Sequence, residues 1–244
     1  MGGRLNDFTY RSIWRRGPIV FLHTGLQTGT TDFEKQREVL QESMKVIVPD
    51  LRGHGKSVSD DFSNYFEDAA DDLKETLNHL QIDRLHLVGC SLGGLVGLRF
   101  AKKYPDRLRS LTLSGITSDK PDNWAVMHAQ DVQFQRELLE NSEFTKQLDL
   151  QHQSDWRQLI YMARDEDWYP FEYTSDLDNI SVPVLFMVGE GNPAEVETAA
   201  KYRNIHSHIH VCVIPFASHL VHVEKPDMYT EVLLEFLNVG QIKS

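Results

Sequence analysis

The sequence predicts an α/β fold, with a doubly wound, mostly parallel sheet, helices on both faces and a helical insertion in the second half. Three observations predict it. Continuous apolar runs of strand length recur along the chain, amphipathic helical patterns separate them, and the alternation stops between residues 117 and 180. Because a helix is the usual crossover between parallel strands, buried strands separated by helices favour a parallel sheet.

Composition bounds the class of protein. The chain has 244 residues, of which 41% are hydrophobic, enough for the core of one domain. A formal net charge of -11 disfavours nucleic acid and anionic membrane as partners, since both require clustered Lys and Arg. Two cysteines imply no disulfide framework. Residues 1–16 are polar, and no run approaches the roughly 20 apolar residues of a membrane span, so we expect a cytoplasmic protein.

The elements of the first half follow from hydrophobic periodicity. A helix over residues 65–80 carries apolar residues at three- and four-residue spacing, with acidic residues mostly on the other face. Strands are expected at residues 8–14 (a leading edge strand), 19–22, 46–48 and 85–88, and helices at 32–43, 65–80 and 95–101.

The second half continues the alternation after the insertion. Strands are expected at residues 111–113, 182–188 and 209–214, and helices at 125–139, 154–163, 194–202 and 226–237. This pattern predicts a core domain formed by residues 1–116 and 181–244, with a helical cap of residues 117–180 inserted into it.

The stretch Gly89-Cys90-Ser91-Leu92-Gly93 joins a predicted strand to a predicted helix. A serine at the apex of such a sharp turn, with glycine two residues on either side, is the nucleophile-elbow pattern. Glycine is needed because a side chain there would collide with the strand or the helix that the turn joins. The turn would place the Ser91 hydroxyl above the carboxyl end of the sheet.

Four polar residues fall directly after predicted strands: His23, Ser91, Asn192 and His219. Sites in doubly wound sheets gather at the carboxyl ends of the strands. We therefore expect residues that are far apart in sequence to meet on one rim of the sheet.

These motifs resemble those of the α/β-hydrolase superfamily over nearly the full length of the chain. The matching segments are the His23-Thr24-Gly25 loop, residues 50–57, the elbow, the Gly189-Glu190 turn, and Ser218-His219 with residues 222–226. The resemblance implies an enzyme that needs no cofactor or metal and acts on a small molecule. It leaves the oligomeric state open.

The resemblance assigns roles to individual residues. Ser91 corresponds to the nucleophile and His219 to the general base, since a serine hydroxyl needs a base to accept its proton during attack. The amide of Leu92 and one amide of the loop after His23, either Leu26 or Gly25, correspond to the oxyanion hole.

The third member of the triad departs from the family pattern. A carboxylate is expected after the strand at residues 182–188, and the usual position holds Asn192. Either Glu190 reaches the histidine instead, or Asn192 occupies the site, or Asp119 replaces it from another loop. Glu195 is a further possibility, although it is expected on the following helix. If Asn192 holds this position, Asn192→Asp should raise activity, because a carboxylate stabilises the imidazolium that forms.

The cap would cover Ser91. Three of its aromatic residues, Trp124, Trp156 and Trp168, are candidates for an apolar substrate pocket, although packing of the cap onto the core is an alternative for each.

Three other motifs are set aside. Gly55-Lys56-Ser57 resembles the end of a phosphate-binding loop, but the required glycine is replaced by Asp50. Cys90 points away from the apex of the elbow. His206, His208 and His210 alternate without an accompanying carboxylate or cysteine cluster, so we expect strand-edge histidines rather than a metal site. His222, near the candidate base, is expected to pack or to support it.

The expected function is acyl transfer by a serine hydrolase on a small, fairly apolar ester, thioester or lactone. A serine at the elbow excludes the branches that use an aspartate there to form an alkyl-ester intermediate. Two alternatives remain: a ligand-binding protein of weak or absent activity, prompted by Asn192, and a carbon–carbon bond hydrolase or lyase.

Overall fold

The computed structural model describes residues 17–239, and the described chain forms a six-stranded sheet in which all neighbouring strands are parallel. The strand order is β2-β1-β3-β4-β5-β6. The strands are β1 (Pro18–Leu22), β2 (Lys45–Ile47), β3 (Leu85–Cys90), β4 (Leu108–Ser114), β5 (Val184–Gly189) and β6 (Ile209–Ile214). The predicted strand at residues 8–14 lies outside the described residues.

Helices connect the strands and cover the sheet, which confirms the predicted fold class. They are α1 (Glu34–Leu40), α2 (Tyr65–His79), α3 (Leu92–Lys103), α4 (Trp124–Glu140), α5 (Ser142–Gln151), α6 (Arg157–Met162), α7 (Phe171–Thr174), α8 (Pro193–Ile205), α9 (Val221–Glu224) and α10 (Pro226–Val239), with a 3-10 helix at Pro105–Arg107. The strand order reverses between β1 and β3, which is where sheets of this kind form their sites.

The hydrophobic core has two layers because alternate strand residues face opposite sides. In β1, Val20 and Leu22 pack with the buried faces of α2, α3 and α8, whereas Ile19 and Phe21 pack with α1 and α10. All four side chains are fully or almost fully buried. The continuous apolar run of β1 in the sequence therefore corresponds to a strand that is covered on both faces.

The insertion between β4 and β5 contains α4 to α7. The sequence predicts two helices there, and the structure adds two more, the four-residue α7 and the ten-residue α5. The periodicity did not indicate α5. Asn141 begins this helix by accepting hydrogen bonds from the amides of Glu143 and Phe144 (3.1 and 3.2 Å). An N-cap signal was thus present in the sequence even though the apolar pattern was weak.

Backbone packs directly against backbone at the elbow between β3 and α3. A Cβ atom on Gly93 would lie 2.1 Å from the carbonyl oxygen of Leu22 in β1. A Cβ atom on Gly89 would lie 2.3 Å from the carbonyl oxygen of Gly93. Only glycine permits this approach of α3 to the sheet.

Gly93→Ala should destabilise the protein by about 1–3 kcal/mol or more, because its Cβ would overlap backbone atoms of β1 and the strand would have to shift. Gly97→Ala, one turn along α3, is the matched control. Its Cβ would meet side chains at ordinary contact distances of 3.6 Å or more. Since Ala is favoured over Gly in a helix, we expect a gain of about 0.5–1 kcal/mol. Urea unfolding measures the stability of both variants. Equal midpoints for Gly93→Ala and Gly97→Ala would contradict the close packing of backbone against backbone at Gly93.

Candidate active site

Ser91 occupies the turn between β3 and α3 with φ 53° and ψ -121°, a conformation in which a non-glycine residue is strained. Two backbone hydrogen bonds hold it there. The Ser91 amide donates to Ser114 O of β4 (3.0 Å), and the amide of Leu95 donates to Ser91 O (2.9 Å). The serine is half-buried at the carboxyl end of the sheet, and its position is set by the sheet and helix on either side.

Gly115 brings Ser91 and His219 together. It follows β4 with φ 66°, and a Cβ placed on it would lie 2.9 Å from the Ser91 amide nitrogen and 3.1 Å from His219 Cε1. The serine backbone and the imidazole therefore flank the same point of the backbone. The two residues are separated by more than half the chain, yet both follow a strand, and the parallel sheet places them on one rim.

A carboxylate holds the ring of His219. Its Nδ1 lies 2.7 Å from Glu195 Oε1, and because a carboxylate can only accept, Nδ1 donates. Glu195 is 1% exposed, whereas the His219 side chain is 45% exposed. Because Nδ1 carries the proton donated to Glu195, Nε2 is the nitrogen that holds the lone pair in the neutral ring.

The prediction for the third residue is corrected on this point, since none of Glu190, Asn192 and Asp119 is the partner of His219. Glu190 Oε1 accepts from the amide of Phe216 (2.8 Å). Asp119 pairs with Lys201 (2.6 Å). Asn192 contacts Glu195 and reaches the histidine only through that carboxylate.

Asn192 and Glu195 form a reciprocal cap at the start of α8. Asn192 Oδ1 accepts from the Glu195 amide (3.4 Å), and Asn192 Nδ2 donates to Glu195 Oε1 (2.7 Å). Side chains of a first helical turn lean towards the helix N-terminus, so Glu195 points back to the rim. The spacing Asn-x-x-Glu was the sequence signal for this cap. The position of Glu195 on the helix did not prevent its side chain from reaching His219.

The electrostatics of the pair suit a base. Burial alone would lower the pKa of His219, but the hydrogen bond and charge of Glu195, with the charges of Glu224 and Asp131, outweigh it and raise the pKa above its usual value. Burial raises the pKa of Glu195, and the bond to His219 opposes that rise. The carboxylate thus favours the protonated form of the imidazole.

The loop that carries His219 is fixed on both sides. Glu224 accepts from the amides of Ser218 (2.8 Å) and Leu220 (2.9 Å), the two neighbours of His219. The thiol of Cys90 donates to His219 O at 3.9 Å. Cys90 is fully buried, and burial raises the pKa of its thiol, which disfavours a thiolate nucleophile.

The candidate oxyanion donors are not equivalent. Leu92 is the first residue of α3, so its amide has no acceptor within the helix. Leu26, at φ 62°, donates its amide to His54 Nε2 (3.2 Å), which corrects its assignment as a donor. The Thr24 amide donates to Asp32 (2.8 Å). Between these two, the Gly25 amide has no acceptor among the described residues.

Three buried histidines organise the loops beneath Gly25. His23, His54 and His152 each accept a backbone amide on one ring nitrogen, from Leu51 (2.9 Å), Leu26 (3.2 Å) and Gly55 (2.8 Å). Burial lowers the pKa of His23 to about 4, that of His54 well below its usual value, and that of His152. These rings are neutral acceptors and act as structural bridges between loops.

Two tryptophans of the insertion, Trp124 and Trp156, are buried, which corrects the prediction of a pocket lined by all three; Trp168 is half-buried. Trp156 is 1% exposed and donates its indole N–H to Asp149 (2.8 Å). Trp124 is 8% exposed and donates to Glu166 O (2.9 Å). Trp168 stacks on the Phe66 ring of α2, with the ring centroids 6.5 Å apart. Trp156 belongs to the hydrophobic core cluster and Trp168 stacks on Phe66, so these two indole rings join the insertion to the core, whereas the ring partners of Trp124 lie within the insertion.

Within residues 17–239, no group of three or more His, Cys, Asp or Glu side chains is placed to hold a metal ion. In the same range, no helix is both long enough and apolar enough to cross a membrane.

Several proteins are similar in sequence to this chain, some over half of it and others over most of it. A protein of Pantoea ananatis designated RutD is 36% identical over 127 residues, 50% of this chain and 44% of its own length. A Mycobacterium bovis protein is 34% identical over 45% of this chain and 34% of its own length. The chain therefore spans less than half the length of these two curated relatives. The 3-oxoadipate enol-lactonase 1 of Acinetobacter baylyi is 22% identical over 90% of this chain and 88% of its own.

Among solved structures, NosK from Streptomyces actuosus is similar with a TM-score of 0.80 and 24% identity, over 92% of this chain and 99% of that chain. At that identity the likeness concerns the fold. The family model described as alpha/beta hydrolase fold matches residues 17–142, a segment that contains β1 to β4, the elbow and the loop after β1. Fold, elbow and family model agree, and the chain belongs to the alpha/beta hydrolase family.

Proposed function

We propose that the protein is a serine hydrolase that works by acyl transfer, with Ser91 as nucleophile, His219 as general base and Glu195 as the carboxylate that orients the base. The observation that carries the proposal is the 2.7 Å bond between Glu195 and His219 Nδ1, beside the strained Ser91 turn. Supporting it further, the Ser91 backbone and the His219 ring flank Gly115, and a serine hydroxyl is activated by an imidazole that a buried carboxylate orients.

The reaction would run in two halves. His219 Nε2 accepts the Ser91 proton as Oγ attacks the substrate carbonyl carbon, and the imidazolium then donates that proton to the leaving group. Water attacks the resulting acyl-enzyme, with His219 acting again as base and then returning the proton to Ser91. Glu195 stays ionised throughout and stabilises each imidazolium.

The amides of Leu92 and Gly25 would bind the oxyanion. The Leu92 amide lies at the N-terminus of α3, where the partial positive charge of the helix favours a developing negative charge. Gly25 is exposed, and a Cβ on it would meet nothing within 4 Å, so there is open space beside this amide for a substrate carbonyl.

The substrate class proposed is a small, fairly apolar ester, thioester or lactone, under a cap formed by residues 117–180. A relative over most of the chain is named as an enol-lactonase, and a lactone is an internal ester. The alternative of a binding protein without activity rested on an amide in place of the carboxylate. Glu195 supplies a carboxylate, which supports turnover instead.

Ser91→Ala should abolish both ester turnover and covalent labelling by a fluorophosphonate probe, because the probe reacts only with an activated serine. Ser63→Ala removes a hydroxyl from an exposed loop and is the matched control. Mass spectrometry locates the adduct, and a panel of short-chain esters, lactones and β-diketones measures turnover. Labelling at another residue, or none in folded protein, would contradict the proposal; β-diketone cleavage alone would favour carbon–carbon hydrolysis.

Glu195→Gln should lower kcat by about 10²–10⁴-fold, because an amide cannot stabilise the imidazolium. Glu190→Gln, the matched control in the preceding turn, should keep kcat within about threefold, since it loses one loop contact. Asn192→Asp should lower activity, because it removes a donor to Glu195 and adds a second negative charge beside it. A gain in Asn192→Asp, or unchanged kcat in Glu195→Gln, would contradict this assignment.

The pH profile of kcat/KM should fall on the acid side through a pKa above the usual 6.5 of histidine. The sign follows from the role: below its pKa His219 is protonated and cannot accept the Ser91 proton. Glu195→Gln removes the neighbouring charge that raises this pKa, so the acid limb should move to lower pH. An acid limb that stays in place in Glu195→Gln would show that another group titrates there.

A further inference from the structure

Asp32 is a buried carboxylate outside the proposed triad, and it accepts four hydrogen bonds. Its Oδ2 accepts from the amide (2.8 Å) and the hydroxyl (3.1 Å) of Thr24. Its Oδ1 accepts from the amide of Phe33 (3.0 Å) and from His222 Nε2 (2.7 Å). Asp32 is 4% exposed. The two oxygens therefore face two different segments, the loop after β1 and the segment that follows His219.

The His222 side of this contact is rigid. The ring is fully buried and stacks on Phe33, with the centroids 4.0 Å apart and the planes at 21°. Gln36 Nε2 donates to the carbonyl oxygen of His222 (3.2 Å). His222 lies in α9, which begins two residues after His219 and ends at Glu224, whose carboxylate holds the amides on both sides of His219.

The Thr24 side controls the proposed oxyanion donor. Thr24 precedes Gly25, and its amide is bound by Asp32. On the other side of Gly25, the Leu26 amide is bound by His54 Nε2. With both neighbouring amides held by buried acceptors, the orientation of the Gly25 amide is fixed by its surroundings and needs no rearrangement when charge develops on a substrate.

We propose that Asp32 is a positioning residue that joins the oxyanion loop at Thr24 to the His219 segment through His222, so that donor and base keep their relative geometry. The inference rests on the proposed function. Four donors converge on Asp32, and an ionised carboxylate is the side chain that accepts all of them. An asparagine would turn an NH₂ group towards either the Thr24 amide or the His222 Nε2–H.

The surroundings of Asp32 favour the ionised form of its carboxyl group. Burial by itself would raise the pKa of this carboxyl, but the bond and charge of His222, with the amides of Thr24 and Phe33, lower it to about 2. Asp32 therefore stays ionised wherever the base is active.

The test is Asp32→Asn in the full chain, with kcat and KM measured on a short-chain ester. We expect kcat to fall about 10- to 100-fold with KM within about threefold, because displacement of catalytic groups costs rate while the open site still admits substrate. Circular dichroism gives the folded fraction. Asp71→Asn is the matched control, since Asp71 accepts hydrogen bonds on α2, from Tyr104 and Lys103. An unchanged kcat per folded molecule in Asp32→Asn would overturn the inference.

His222 provides a second pair of variants that does not depend on whether Asp32→Asn folds. His222→Phe keeps a ring against Phe33 and loses the donor to Asp32, whereas His222→Gln loses the ring and keeps an N–H donor. The inference predicts a higher kcat for His222→Gln than for His222→Phe. The reverse order would show that His222 acts by packing alone, and would overturn the link through Asp32.

The failure of this inference can be told apart from failure of the proposed function. Fluorophosphonate labelling of Ser91 in the unmodified protein tests the function by itself. Labelling of the unmodified protein with equal rates of labelling in Asp32→Asn would reject only the positioning role. A double variant, Asp32→Asn with His222→Phe, should be no slower than the slower single variant, because both break the same link; multiplied effects would contradict it.

Discussion

The site depends on the contact of α3 with the sheet, where helix and strand backbones touch without side chains between them. Gly93 lies against the carbonyl of Leu22, and that contact sets the distance between the elbow and the end of β1. The same end of β1 continues into the loop of Thr24 and Gly25. The close approach therefore fixes two things together: the strained turn of Ser91 and the loop proposed to supply an oxyanion donor.

Much of this arrangement could be predicted from the sequence, because it follows from local rules. The rule that sites lie at strand ends was enough to group Ser91 with His219, and continuous apolar runs were enough to identify the strands. Glu195 was placed behind the other candidates for a physical reason. Sequence position puts it inside a helix, and only the cap formed with Asn192 shows that its side chain turns back to the rim.

The pocket prediction was wrong for Trp124 and Trp156 for a different reason. Aromatic residues in an insertion can face a substrate or the core, and sequence alone does not distinguish the two. Trp156 illustrates the point, since Asp149 satisfies its indole N–H and leaves the ring free to pack against the core. An indole whose N–H is satisfied inside the protein no longer needs to face solvent, and burial then decides its position.

The histidines near the rim show how the fold gives one imidazole surroundings that differ from those of three others. His23, His54 and His152 each receive a backbone amide on one ring nitrogen, so protonation of that nitrogen would break a hydrogen bond in a buried place. Among residues 17–239, no backbone amide donates to His219; its Nδ1 donates to a carboxylate, and no hydrogen bond in that range involves its Nε2. The hydrogen-bond partners of the rings therefore decide how each imidazole behaves. Backbone amide donors keep His23, His54 and His152 neutral, whereas the Glu195 carboxylate lowers the cost of protonating His219. The proposed proton transfer from Ser91 requires one such imidazole with a defined tautomer.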